Sequence, residues 1–384
     1  MVNIQKIFLK KNKTNNKIKM RLINKLLKKR FLLKKIKKSD LILLDNNFAN
    51  LKFKNIHFHI FDPDKYYIWE FLVSFYKYLT TLFSESFSFI YFKTLIEKIE
   101  PKVALGHEMN HHIFNFKKLF PDKISACYQY GYIFKKDIND YYKKNFKGKK
   151  LDLFFVYDSR SMKIMKKFIK SKYFINGSTK VNEHMPANKK KKVYDLVFIS
   201  RLRFPKKKNW NNYDNQYDKF LIKIIDKYCN INNLSLTIAF NSLRKDKKDK
   251  QDYFVKEKNF YNSAIKNYNI GREDSLSLSH KSKLVICNNS NHGFELLLSK
   301  CKVVFIDSTK TDYKYFIEKK GPFWYYGNDK KQIFLLIDKV YKKSNRAWQK
   351  DVIKSNKNLE PFYKKNELYY NNYILKKKIE KFIN

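Results

Sequence analysis

Three groups of residues have types and spacings suited to chemistry. The first lies in Ser282–Asp307 (SKLVICNNSNHGFELLLSKCKVVFID), which reads as an apolar strand, a polar turn, a helix and a second apolar strand. Its turn carries Ser290, Asn291, His292 and Gly293, and Glu295 follows in the first turn of the helix. A helix that starts at the carboxyl end of a parallel strand offers backbone N–H groups and a positive dipole end, which suit a diphosphate. Gly293 permits close approach, and Glu295 is placed to accept a hydrogen bond from a ribose hydroxyl. The same residues also fit a structural turn capped by Ser290.

The second group is His107-Glu108-Met109-Asn110-His111, which matches H-E-x-x-H. Zinc chemistry would need both histidines on one helical face, Glu108 as the base and a third ligand downstream. Here the run directly follows Lys102–Gly106 (KVALG), read as a strand and its turn, and no obvious third ligand comes after it. The expected metal is therefore none. The competing readings are His107, Glu108 and His111 as candidate bases beside an acceptor hydroxyl, and plain loop polarity. The third group comprises Arg201 and Arg203, just past a strand ending Ile199-Ser200, and Gln129-Tyr130-Gly131, just past a strand ending at Tyr128. The arginines are candidates to hold phosphates, or are surface charge.

These groups need a framework. Strands are predicted at Ser39–Asp45, Asn55–Asp62, Lys102–Gly106, Ile124–Tyr128, Leu151–Tyr157 and Tyr173–Ile175. Helices are predicted at Tyr66–Leu82, Ser84–Ile99 and Ile113–Leu119, and from a cap at Ser159 to Lys170. Lys180–Lys192 (KVNEHMPANKKKK) reads as a linker. Alternation then resumes with strands at Tyr194–Ser200, Leu234–Phe240, Lys283–Cys287 and Lys302–Asp307. Helices accompany them at Tyr217–Cys229, Ser290–Ser299, Asp329–Lys342 and Glu367–Ile383. Strand–helix alternation on both sides of one linker predicts an α/β chain with two doubly wound, Rossmann-like parallel sheets. The expected division is a basic leader (1–38), an acceptor-side domain (39–180), a linker (181–192), a nucleotide-donor domain (193–350) and a helical extension (351–384).

Ser290–Phe305 (SNHGFELLLSKCKVVF) resembles the nucleotide-side element of GT-B glycosyltransferases and of CDP-glycerol polymer transferases. More of the chain resembles the bacterial surface carbohydrate biosynthesis proteins related to them. The segments that carry this are Phe120–Gly131, Asp152–Ser178, Val197–Leu202 and Gly321–Asn328. The resemblance implies two domains facing across a cleft, with Gln129, Tyr130 and Gly131 on the acceptor side. It implies transfer of a sugar, or a polyol-phosphate unit, from a nucleotide-sugar or CDP-activated donor to a surface polysaccharide or lipopolysaccharide acceptor. The donor would be a substrate, and no cofactor would be permanently bound. Relatives often have His or Asn where Tyr130 stands, so a non-catalytic homologue is the reading Tyr130 keeps open.

The composition frames a rival. The chain has 83 Lys+Arg against 35 Asp+Glu, a net charge of +48, which suits a nucleic-acid binder. Only 8 of the 83 are Arg, the residue that reads bases with a bidentate fork. Abundant Lys, Asn, Ile, Phe and Tyr with few Gly and Pro point instead to an AT-rich genome, and no specific nucleic-acid partner is expected. Met1–Lys38 holds 15 basic residues and no acidic one, and Met20–Lys38 fits an amphipathic basic helix for an anionic membrane face, or a solvated leader. Four cysteines without C-x-x-C spacing suggest free thiols in a reducing compartment. No apolar run approaches the roughly 18 residues that span a bilayer. The expected location is the cytoplasm, with peripheral contact at the inner face of the membrane.

Overall fold

Short apolar runs become strands here because parallel strands covered on both faces bury every side chain. The computed structural model describes residues 30–45, 53, 56–62, 65–81, 84–183, 191–202, 215–241, 250–288, 290–308, 315–316, 318–364 and 366–384. Its strands are β1 (Arg30–Leu32), β2 (Leu41–Leu43), β3 (Phe58–Ile60), β4 (Lys65–Tyr67), β5 (Val103–His107), β6 (Ile124–Tyr128), β7 (Lys149–Val156) and β8 (Ile169–Ile175). The later ones are β9 (Tyr194–Ile199), β10 (Leu236–Ala239), β11 (Asn269–Ile270), β12 (Ser282–Cys287), β13 (Val303–Ile306) and β14 (Trp324–Tyr325). The principal helices are α1 (Ile68–Thr80), α2 (Phe87–Ile99), α3 (His112–Leu119), α4 (Ser159–Met165), α5 (Thr179–Asn182), α6 (Gln216–Ile231) and α7 (Lys250–Asn262). They continue as α8 (Ser275–His280), α9 (Asn291–Leu298), α10 (Lys330–Lys342), α11 (Asn345–Ser355), α12 (Glu360–Lys364) and α13 (Tyr373–Ile383).

Two units divide these elements. One holds the described residues up to Cys127 together with Ile379–Asn384, and the other holds Tyr128–Lys378. In the first unit β2 lies in parallel between β3 and β5, with Leu41 paired to both Phe58 and Val103, and β6 follows β5. The chain leaves β2 for β3 on one side and returns through α1 and α2 to β5 on the other. The winding therefore reverses between the carboxyl ends of β2 and β5, the place where open α/β sheets bind ligands. Leu41–Leu43 and Val103–Leu105 are fully buried.

The second unit carries a parallel sheet in the order β11-β10-β9-β12-β13-β14. Counted along the chain from β9, that is 3-2-1-4-5-6, the Rossmann order. Val197 of β9 pairs with Thr237 on one side and Val285 on the other, so the reversal lies between β9 and β12. Leu196–Phe198, Leu284–Cys287 and Val303–Ile306 form its fully buried centre. In the same unit β7 and β8 pair in parallel, stacking Phe154 on Tyr173 and Phe155 on Phe174. The chain is an α/β protein with Rossmann-like, doubly wound parallel sheets.

Several expectations need correction. Of the proposed basic helix Met20–Lys38, residues 20–29 lie outside the described residues, and Arg30–Leu32 is strand β1, paired in parallel with β4. Asp158, not Ser159, caps α4, its carboxylate accepting from Ser161 N at 2.7 Å. That helix stops at Met165 rather than Lys170, because β8 begins at Ile169 and pairs along β7. The closing helix begins at Tyr373, after a 3₁₀ stretch in which Asn371 and Asn372 adopt positive φ of 50° and 57°. Residues 184–190 of the linker lie outside the described residues.

Candidate functional site

The reversal point of the second unit gathers most of the candidates. Ser200 and Arg201 follow β9, and Asn288 follows β12. Asp218, in the first turn of α6, ties the two strand ends together. Its carboxylate accepts from Asn288 Nδ2 at 2.8 Å and from the backbone N–H of Arg201 at 3.2 Å. The Tyr261 hydroxyl of α7 lies 3.4 Å from the same carboxylate and 2.9 Å from Ser200 Oγ. Glu257, also on α7, accepts from Ser200 Oγ at 2.5 Å and from Asn241 N at 3.0 Å. Asp218 and Glu257 are fully buried. A buried carboxylate is tolerable only with such partners, so both serve as braces for the strand ends.

Past Asn288, Ser290 caps α9, its hydroxyl accepting from Gly293 N at 3.3 Å, while its carbonyl accepts from the Tyr315 hydroxyl. Asn291 is exposed at the helix start, and His292 and Gly293 are buried. A Cβ on Gly293 would lie 2.5 Å from Cys287 Sγ and 2.6 Å from Phe305 Cε1. The bare Cα therefore faces the sheet and seats α9 on β12 and β13, which sets where the helix dipole points.

Glu295 lies one turn further along, with its side chain only 8% exposed. Oε1 accepts from the Tyr157 hydroxyl at 3.2 Å and from Ser178 Oγ at 3.3 Å. Oε2 lies 3.4 Å from His292 Nδ1 and 3.7 Å from Lys180 Nζ. Burial pushes this carboxyl up, but His292, Lys180 and the Tyr157 hydroxyl together hold it below the usual carboxylate value. The carboxylate expected to meet a ribose hydroxyl already holds these four groups.

Gln129-Tyr130-Gly131 meets the same turn. Gln129 is buried, donating from Nε2 to Gly131 O at 2.7 Å and accepting from Tyr157 N at 2.8 Å. The Tyr157 hydroxyl lies 3.1 Å from Tyr130 O, so one phenol sits between the Gln-x-Gly turn and Glu295. A Cβ on Gly131 would lie 2.5 Å from Asn291 Nδ2. The Tyr130 ring is 53% exposed. Ser290, Asn291, His292, Gly293, Glu295, Gln129, Tyr130, Gly131 and Arg201 thus share one region of the second unit. Arg203 lies outside the described residues.

The first unit places the H-E-x-x-H run at its own reversal point. His107 is the last residue of β5, and the helix begins only at His112, so the two histidines do not share a helical face. Asn110 organises the turn between them, donating from Nδ2 to Leu44 O at 2.6 Å and accepting from His112 N at 3.0 Å. Glu108 is fully buried and His111 is exposed. Burial lowers the pKa of His107 below its ordinary 6.5, opposed by the charge of Asp45, so the ring is neutral near pH 7. His112 packs between Phe61 and Phe92, with ring centroids at 5.0 and 4.6 Å. Among the described residues no three His, Cys, Asp or Glu side chains are grouped to hold a metal ion.

Sequence reasoning missed Asp218, Glu257, Tyr157, Ser178 and Tyr261, which act by bridging elements distant in the chain. A partial signal existed for Ser178, since it follows Gly177, whose φ of 73° marks a forced turn.

A sequence profile of the family described as "putative O-antigen biosynthesis protein" matches residues 107–379, more than half of the chain. No curated protein matches it significantly. Among solved structures, the chain is similar to UDP-GlcNAc 2-epimerase of Methanocaldococcus jannaschii, in complex with UDP-GlcNAc and UDP. The identity is 13%, over 83% of this chain and 98% of that one, with a TM-score of 0.45. It is also similar to the Neisseria meningitidis UDP-GlcNAc 2-epimerase bound to UDP-GlcNAc, with 11% identity over 83% and 99% and a TM-score of 0.45. A UDP-forming trehalose-phosphate synthase from Burkholderia xenovorans is 10% identical over 82% and 85%, with a TM-score of 0.41.

Proposed function

The chain belongs to the O-antigen biosynthesis family whose profile it matches, and from that premise we propose that it transfers a sugar, or a polyol-phosphate unit, from a nucleotide-activated donor to a surface polysaccharide or lipopolysaccharide acceptor. The observation that carries the donor side is the reversal point between β9 and β12. There the N-terminus of α9 and Arg201 follow neighbouring parallel strands whose ends are locked by Asp218. That arrangement suits a nucleoside diphosphate: helix N–H groups and one guanidinium meet the phosphates as the bond to the transferred unit breaks and charge builds on the leaving oxygen. Glu295 acts as a positioning residue, fixing Tyr157, Ser178 and His292 around the helix start. The acceptor hydroxyl gives up its proton to a base as its oxygen attacks, and the candidates for that base are His107, Glu108 and His111 in the first unit. His107 suits the role best, because its neutral ring can take a proton at pH 7.

Thermal unfolding with CDP, UDP, GDP and CMP at two salt concentrations tests this. Saturable stabilisation selective for one base is expected, worth about 2.7 kcal/mol at a ligand concentration of 100 times Kd. It should weaken in Arg201→Gln and in Glu295→Gln. If no nucleoside diphosphate stabilises the protein, the donor reading fails. Equal stabilisation by every polyanion, vanishing at high salt, would favour the nucleic-acid reading instead.

A further inference from the structure

Helix α1 in the first unit is turned inside out. Its buried positions are Glu70 and Ser74, while Trp69, Leu72, Val73, Phe75, Tyr76 and Leu79 are exposed. Trp69 is 59% and Tyr76 69% exposed. Residues 69, 72, 73, 76 and 79 follow the three- and four-residue spacing of one helix face, and 75 widens it. Beside these inward polar residues Phe71 joins an aromatic cluster, 5.1 Å from Phe31, 5.5 Å from Tyr66 and 5.2 Å from Phe87. Six large apolar side chains facing water on one short helix mark a binding surface.

The surroundings say what covers it. Strand β1 pairs in register with β4, which runs directly into α1, so the basic segment starting at Arg30 is fixed beside the stripe. Arg30, Lys34, Lys35 and Lys37 are exposed. Leu33, 79% exposed, and Phe31 extend the apolar surface into this segment. The one acidic residue of α1, Glu70, points inward. An apolar face rich in Trp, Tyr and Phe with a margin of cations is complementary to a bilayer with anionic headgroups. A second copy of the chain would meet its own charge of +48 across the contact. Among the described residues no helix is long and apolar enough to cross a membrane, so attachment here would be along the surface.

We infer that α1, with the basic segment Arg30–Lys38, is a docking face for an anionic phospholipid bilayer, with Trp69 and Tyr76 entering the interface. This stands apart from the donor reading, since it uses no residue of the second unit. The test is flotation of the full chain with phosphatidylglycerol–phosphatidylcholine vesicles against phosphatidylcholine alone, at low and raised salt, alongside tryptophan emission with brominated acyl chains. The expected result is binding to the anionic vesicles that partly survives raised salt, with emission quenched in the wild type and unquenched in Trp69→Phe. The variant Leu72→Ser/Tyr76→Ser should bind at least about tenfold more weakly, as lost apolar burial implies. Its thermal unfolding should match the wild type, since both positions are exposed. Equal binding by this variant, with no quenching through Trp69, would mean that charge alone attracts the lipid and overturns the inference. Unchanged lipid binding with a wild-type dimer converted to monomer would overturn it in favour of contact between copies.

Discussion

Both reversal points lie between neighbouring parallel strands, and their chemistry is opposite. Between β9 and β12, buried carboxylates pin strand ends: Asp218 holds Asn288 and Arg201, and Glu257 holds Ser200 and Asn241. Between β2 and β5, an amide does that work, with Asn110 bridging Leu44 and His112, and the titratable groups nearby include His107 and the fully buried Glu108. The difference is instructive. A diphosphate needs N–H groups and cations whose positions are fixed in advance, which rigid, fully paired carboxylates provide from behind. Proton transfer from a hydroxyl needs a group that can take a proton at pH 7, which the neutral, half-buried imidazole of His107 provides.

The largest effect should come from removing the brace. Asp218→Ala would leave Asn288 Nδ2 and the Arg201 N–H without their buried acceptor and is expected to cost about 3 kcal/mol in denaturant unfolding, with nucleotide stabilisation lost as well. Asn110→Ala, its counterpart in the first unit, removes a neutral amide and should cost about 1 kcal/mol. Equal costs would erase the contrast between the two points. Next comes Gly293→Ala. Its methyl would press into Cys287 and Phe305, both in the core, for an expected loss of about 2 kcal/mol by the same measurement.

Acid should separate the units too. His107 is held neutral below its ordinary 6.5, with burial the main cause. Its folded pKa is depressed, so it has no effect above pH 6.5, and stability falls as the pH drops from there towards the folded value. Glu295 is also depressed, but from 4.5, so its contribution persists above that pH and is lost only as the pH falls through its folded pKa. Unfolding followed from pH 7.5 to 3 should show a first loss that is reduced in His107→Gln and a second that is reduced in Glu295→Gln. A single transition unaffected by either variant would break the comparison.

Much of this framework was legible along the chain. The strand at Ile124–Tyr128 and the cap at Ser290 follow from local rules: an apolar run between turns, and a hydroxyl before a helix. Arg201 and Ser290 were readable as candidates because both stand just past strands. The strand order that makes them neighbours is set by packing, which no short window of sequence contains. The role of Gly293 was misjudged for the same reason, because only the fold reveals Phe305 beneath it. Helix α1 was the hardest to read. Its aromatic and aliphatic residues at helical spacing read as a core helix, and spacing cannot say that the apolar side faces out.

The smallest effect is the most diagnostic of how the second unit's site is assembled. Gly131 has no positive φ to excuse it; its reason is Asn291, whose Nδ2 would lie 2.5 Å from an added Cβ. Asn291 is exposed at the start of α9, so its side chain can turn away, and Gly131→Ala should cost less than about 1 kcal/mol in stability. The displaced amide sits at the helix end proposed to face the phosphates, so nucleotide affinity should fall more than stability does. In an Asn291→Ala background the three nearest atoms to the added methyl are gone, and Gly131→Ala should then change both quantities less. A double-mutant cycle read by nucleotide titration measures that coupling. A coupling near zero would mean that the Gln-x-Gly turn and the start of α9 are neighbours without acting together, and that Gln129, Tyr130 and Gly131 serve the fold alone.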